Sequence, residues 1–103
     1  MQLAGFNTIL KGLLITVVFS MSACETAPPV QEMSDARQAI AVAREAGAAE
    51  LAAFHLKAAE DYLERAQQAL NDHAYSAARR DAKQAKMKAL DALKASEESE
   101  TDN

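Results

Sequence analysis

From residue 49 onward the apolar residues fall on two helical stripes, and the match between them limits what this chain can fold into. Ala49, Ala52, Leu56, Ala59, Leu63, Ala66, Leu70 and His73 follow one another at steps of three and four, and Tyr75, Ala78, Ala82, Ala85, Ala89 and Ala92 repeat the alternation. That period marks a helix with one buried face. Read as heptads from Ala52, leucine fills the a positions and alanine the d positions. Between the stripes lies Asn71-Asp72-His73-Ala74, where Asn and Asp favour turns and helix ends. If the chain folds back there as an antiparallel pair, facing positions have residue numbers of constant sum. Leu70 then faces Ala78, Ala66 faces Ala82, Leu63 faces Ala85, Ala59 faces Ala89 and Leu56 faces Ala92. Each leucine meets an alanine and each inner alanine another alanine, so the helix axes can approach toward the low end of the ~8–10 Å range. Glu60 and Glu64 flank the second stripe where Arg79, Lys83 and Lys86 flank the third, so pairs such as Glu64–Lys83 are expected. Exposed pairs of this kind are each worth only ~0–1 kcal/mol and set orientation more than stability.

A shorter helix is expected upstream, starting at Ser34 or Asp35, because Asp35 and Gln38 have the spacing of a capping box. Ala36, Ile40, Ala43 and Gly47 give it one thin apolar face, and Gly47 is its natural stop, since glycine tolerates the left-handed conformation that ends helices. A continuous helix kinked at Gly47 is the alternative; the change of phase between stripes favours the break. The composition supports the class: there is no Trp, no Val or Ile follows Val42, and alanine with Glu, Lys, Arg and Gln dominates from Ala36. These are strong helix formers. The expected fold is therefore all-α, a short N-terminal helix plus an antiparallel, alanine-rich, coiled-coil-like hairpin over residues 34–95. Ser96 to Asn103 is polar and acidic and reads as a disordered tail (96–103).

The N-terminal residues have a different character. Lys11 precedes an apolar run from Gly12 to Phe19, and small residues lead to Cys24, the only cysteine. A charge, a short apolar core and small residues before a cleavage point make a secretory signal; the run is too short to span a bilayer, which takes about 20 residues. Met21-Ser22-Ala23-Cys24 resembles the lipobox of bacterial lipoproteins. The resemblance implies cleavage of a signal peptide (1–23), lipidation of Cys24, a membrane anchor there, and, because Glu25 rather than aspartate follows, the periplasmic face of the outer membrane. Residues 24–33, with Pro28-Pro29, read as the anchor's tether. Met1–Ala23 contains one of the 11 basic residues and none of the 15 acidic ones, so the 80 residues that remain carry a net charge of −5. That balance argues against nucleic acid as a partner, and a lone cysteine permits no internal disulfide.

The lipobox, the alanine-rich helices, Ala46-Gly47-Ala48 and the Tyr75-x-x-Ala78 helix start together resemble a bacterial family catalogued as a domain of unknown function, made of small alanine-rich lipoproteins. Its members occur alone or ahead of an OmpA-like peptidoglycan-binding domain. The likeness covers about Pro28 to Leu93 and implies a fold and a compartment but no activity; with no second domain here, peptidoglycan binding is not expected. The alternation is also similar to that of tetratricopeptide helices, but no period of about 34 residues repeats three times. With Glu100-Thr101-Asp102-Asn103 at the end and no lysine near it, the covalent wall linkage of the short coiled-coil lipoprotein is not expected either.

No pattern carries catalysis. His55 and His73 are the only histidines and lack metal-ligand spacing; His55 reads as a helix-surface side chain and His73 as a turn or cap residue. Glu60-Asp61-x-x-Glu64 reads as a solvated, salt-bridging flank, since no apolar wall stands by to raise a carboxylate's pKa. There is no phosphate loop and no nucleophile motif, so no enzyme activity, catalytic residue, cofactor or metal is expected. The basic stripe Arg79, Lys83, Lys86 and Lys94 reads first as partner of the acidic flank, and second as a contact for anionic lipid or wall polymer. Two functions remain: a lipid-anchored scaffold or adaptor that binds a protein partner or a second copy of itself to complete a thin core, or a module for a small ligand or wall polymer. The second would need a cavity lined by Leu56, Leu63 and Tyr62.

Overall fold

The computed structural model describes residues 27–102; the signal segment, Cys24 and Asn103 lie outside them. The described chain is helical: α1 (Val30–Glu45), the single turn α2 (Ala48–Leu51), α3 (Ala53–Asn71) and α4 (Tyr75–Thr101). α3 and α4 form the expected antiparallel hairpin, and α1 packs along both of them.

α1 begins earlier than the capping-box spacing suggested. Pro29 is its N-cap, with no side-chain cap, and the Met33 N–H donates to the Pro29 carbonyl at 3.0 Å. A proline suits this place, because its fixed φ is compatible with a helix start and its missing N–H is one the first turn leaves unpaired anyway. Asp35 is mid-helix and accepts from Gln31 Nε2 at 2.9 Å instead of capping. Residues 30–33, read as tether, are therefore helical, and Met33 is in the core. Gly47 ends α1 as expected, in the left-handed region at φ 84°. Its carbonyl accepts from both Glu50 and Leu51 and starts α2. A second break follows at Ala52, where φ is −146°. The second stripe is thus cut near its start: Ala49 is exposed, and its neighbour Ala48 is buried instead.

The core is made of layers. Met33, Ala66 and Ala82 form one buried cluster, with Leu63 against it. Ile40, Ala43, Ala48, Ala52, Leu56, Ala59, Ala89 and Ala92 form another, which Leu63 also touches. The buried positions of α1, Met33, Ala36, Ile40 and Ala43, step along in phase with Ala82, Ala85, Ala89 and Ala92 of α4, while α3 runs against both. Each layer then holds one large side chain and two alanines: Met33 with Ala66 and Ala82, Leu63 with Ala36 and Ala85, Ile40 with Ala59 and Ala89, Leu56 with Ala43 and Ala92. The large residue comes alternately from α1 and α3, and α4 contributes alanine every time. Among the described residues, eleven of the fourteen buried hydrophobic side chains are alanine, and their small volume lets the three helices pack closely around the few large ones.

α4 is the spine. At 27 residues it outruns the 19 of α3, and α2 packs beside its far end. The acidic C-terminal stretch, expected to be disordered, is helical to Thr101. Ser96 is fully buried, and its hydroxyl donates to the Ala92 carbonyl at 2.8 Å. A polar residue can occupy the core there because the preceding turn of its own helix satisfies it.

Candidate functional site

With the interior filled by alanine, the chemistry-bearing side chains lie at the surface, and the third helix decides how they pair. The hairpin alone would set Glu60 and Glu64 against the α4 cations. Instead α1 occupies the groove on that side and takes the partners from both walls. Arg44 Nη2 of α1 meets Glu60 Oε1 of α3 at 2.7 Å. Arg79 Nε of α4 donates to Glu32 Oε1 of α1 at 3.2 Å, and Lys86 Nζ lies 4.0 Å from Asp35 Oδ2. The expected Glu64–Lys83 pair does not form, and the bridging is between α1 and each hairpin arm. Arg37 of α1 likewise donates to Gln67 of α3 at 2.9 Å.

The opposite face of the hairpin holds a pair that stripe reading passed over. Asp81 is 6 % exposed, and its Oδ1 lies 3.7 Å from Arg65 Nη2. The guanidinium of Arg65 sits 5.2 Å from the centre of the Tyr62 ring, a distance at which cation–π attraction operates. The signal was present in the sequence: Asp81 is the one acidic residue wedged between stripe alanines Ala78, Ala82 and Ala85. Elsewhere, Asp61 Oδ1 accepts from Lys57 Nζ at 2.7 Å, and that hydrogen bond raises the pKa of the exposed lysine.

The histidines stand where the spacing put them, away from one another. His55 is half-buried at the start of α3, edge-on to Phe54 with ring centres 5.7 Å apart. His73 occupies the turn at φ 60°, its ring 5.9 Å from that of Tyr75. Among the described residues no group of three His, Cys, Asp or Glu side chains is placed to hold a metal ion. No described helix is long and apolar enough to cross a membrane.

The concavities among the described residues are open grooves, and none is lined by Leu56, Leu63 and Tyr62 together. Leu56 is in the core, Tyr62 is on the Arg65 face, and only Leu63 lines an open groove. That groove, about 640 Å³, runs between α1 and α3 over Ile40 and Leu63, with Arg37, Arg44, Glu60, Glu64 and Gln67 along its rims. Another depression lies over Ser76, Arg79, Arg80, Lys83, Gln84 and Met87 of α4, and a smaller one between α1 and α4 is lined by Asp35, Gln38, Ala39, Val42, Lys86 and Leu90. Large apolar side chains also reach solvent: Phe54, 83 % exposed near the α2–α3 break, Val30 and Val42 of α1, Leu51 of α2, and Met87 with Leu90 of α4. Leu93 packs against the core instead.

Residues 31–103 match the family model described as Domain of unknown function (DUF4398), and the chain belongs to that family. No curated protein and no solved structure matches it.

Proposed function

We propose that this DUF4398 protein is a lipid-anchored envelope protein, held at the periplasmic face of the outer membrane through an acylated Cys24, and that its helical bundle works as a scaffold or adaptor for a protein partner or a second copy. The observation that supports the scaffold half is the filled interior. Among the described residues the core is of single large residues ringed by alanine and the concavities are open grooves, which favours recognition at the outer surface. Phe54 is the large apolar side chain most available for such contact, and aromatic anchors of this kind carry much of the energy of protein interfaces.

The anchor half is supported by the layout of the N-terminus. The family match begins at residue 31, so the apolar run, the lipobox-like Met21-Ser22-Ala23-Cys24 and the two prolines all precede the matched domain. Intact-mass measurement of the mature chain tests it: an acylated chain starting at Cys24 that partitions into detergent is expected. A Cys24→Ser variant that remains equally membrane-bound would overturn the anchor. Recovery in inner-membrane fractions would overturn only the choice of membrane, which rests on Glu25.

A further inference from the structure

We propose that the Arg80–Lys83 face of α4 lies on anionic phospholipid headgroups and fixes how the bundle stands on its membrane. The proposal rests on the anchored reading of Cys24 and deepens it.

The argument starts from where the tether leaves the bundle. Arg79 holds that point with two hydrogen bonds, from Nη2 to the Ala27 carbonyl at 3.1 Å and from Nε to Glu32 at 3.2 Å. Ala27 is thereby fixed against α4, in the same part of the surface as Arg80 and Lys83. Cys24 is three residues upstream, and three residues span at most about 10 Å. An acyl chain on Cys24 therefore brings the bilayer surface within about one Debye length of this face.

The chemistry of the face suits that surface. Ser76, Arg80, Lys83, Met87, Leu90 and Lys94 succeed one another at steps of three and four, so they share one side of α4. Arg79 is engaged by Glu32 and Lys86 by Asp35, but among the described residues Arg80 and Lys83 have no carboxylate within ion-pair distance. Met87 and Leu90 are 56 % and 47 % exposed beside them. Free cations flanking exposed flexible apolar side chains are the makeup of a helix face that rests in the headgroup region. Of the carboxylates around it, Glu32 is engaged by Arg79 and Asp35 by Lys86, and the exposed Asp72 is in the turn and not on this stripe. Wall polymer is also anionic, but the short tether puts the bilayer at this face.

Each basic side chain at an anionic surface favours contact by about fivefold, so Arg80 and Lys83 together should shift the ratio of face-down to face-away orientations about twenty-five-fold. The test uses the full acylated protein with Met87→Cys carrying a fluorophore, reconstituted into phosphatidylcholine vesicles with or without phosphatidylglycerol and containing a headgroup spin-labelled quencher. Quenching is expected with phosphatidylglycerol, is expected to weaken at high salt, and is expected to vanish in an Arg80→Gln/Lys83→Gln variant that still floats with the vesicles. A label on Glu64→Cys, on the α1–α3 side, should stay unquenched. Equal quenching in both vesicle types, or quenching indifferent to the double substitution, overturns the proposal while leaving the anchor standing. A protein that floats with neither vesicle overturns the anchor and the proposal together. Quenching unaffected by phosphatidylglycerol but removed by peptidoglycan fragments would assign the face to the wall and overturn the lipid contact.

Discussion

At the scale of single residues, stability depends on side-chain volume far more than on charge. Ala85 is fully buried and belongs to the layer that Leu63 already fills. Ala85→Leu places two large side chains where the pattern allows one, and such overpacking costs ~1–3 kcal/mol. In a domain of this size each kcal/mol lowers Tm by roughly 4–8 °C, so a thermal melt should show a clear fall. Ser96 separates volume from polarity. Its hydroxyl is satisfied by its own helix, so Ser96→Ala should change stability by no more than about 1 kcal/mol. Ser96→Glu, by contrast, forces a longer, charged side chain into a site with no exposure. It should lower Tm or melt the helix beyond Ala95, visible as lost ellipticity. An unchanged melt for Ser96→Glu would mean that the C-terminal turns do not pack.

At the scale of elements, the hairpin register is the feature to test. Ala59 and Ala89 lie in one buried cluster, at facing positions of α3 and α4. Cysteines placed there should form a disulfide readily, since facing residues of close-packed helices come within the usual Cα separation of ~4.4–6.8 Å. Cysteines at Ala59 and Ala78 are offset by about eleven residues along α4, roughly 16 Å, and should not. Non-reducing gels of the two variants decide it: equal oxidation would break the register. This register was legible in the sequence, because matching steps on two stripes align only at heptad intervals and the short turn at Asn71–Ala74 selects one of those alignments, and so was the stop at Gly47. The ion pairs were not legible, because two stripes describe a pair of helices and say nothing of where a third will lie. Once α1 fills the groove, Arg44 takes Glu60 and Glu32 takes Arg79, and the neighbours expected across the hairpin are parted. The helicity of the C-terminal turns was not legible either. Ser, Glu and Thr carry no apolar signal, yet Ser96 is buried with its hydroxyl satisfied by the preceding turn of its own helix.

At the scale of the whole molecule, the bundle is a spine of alanine with two helices laid on it, and its three-helix closure changes what a partner would be for. The thin core of the hairpin is covered by α1, so association need not complete the interior and instead uses the outer surface. If the protein works by contact through a correctly packed bundle, two variants should part company. Ala85→Leu should lose function along with the packing. A combined His55→Gln, Glu64→Gln and His73→Asn variant should keep both, since surface substitutions usually change stability by less than ~0.5 kcal/mol each, and Asn tolerates the left-handed backbone of residue 73. The readout is rescue of whatever envelope defect a deletion strain shows, detergent sensitivity for example, with folding followed by circular dichroism. The triple variant removes both histidines and the unpaired carboxylate at the rim of the α1–α3 groove, which are the side chains best suited to proton transfer or ligand binding. A triple variant that folds normally yet fails to rescue would therefore reveal a chemical or ligand site on this surface and sink the scaffold reading.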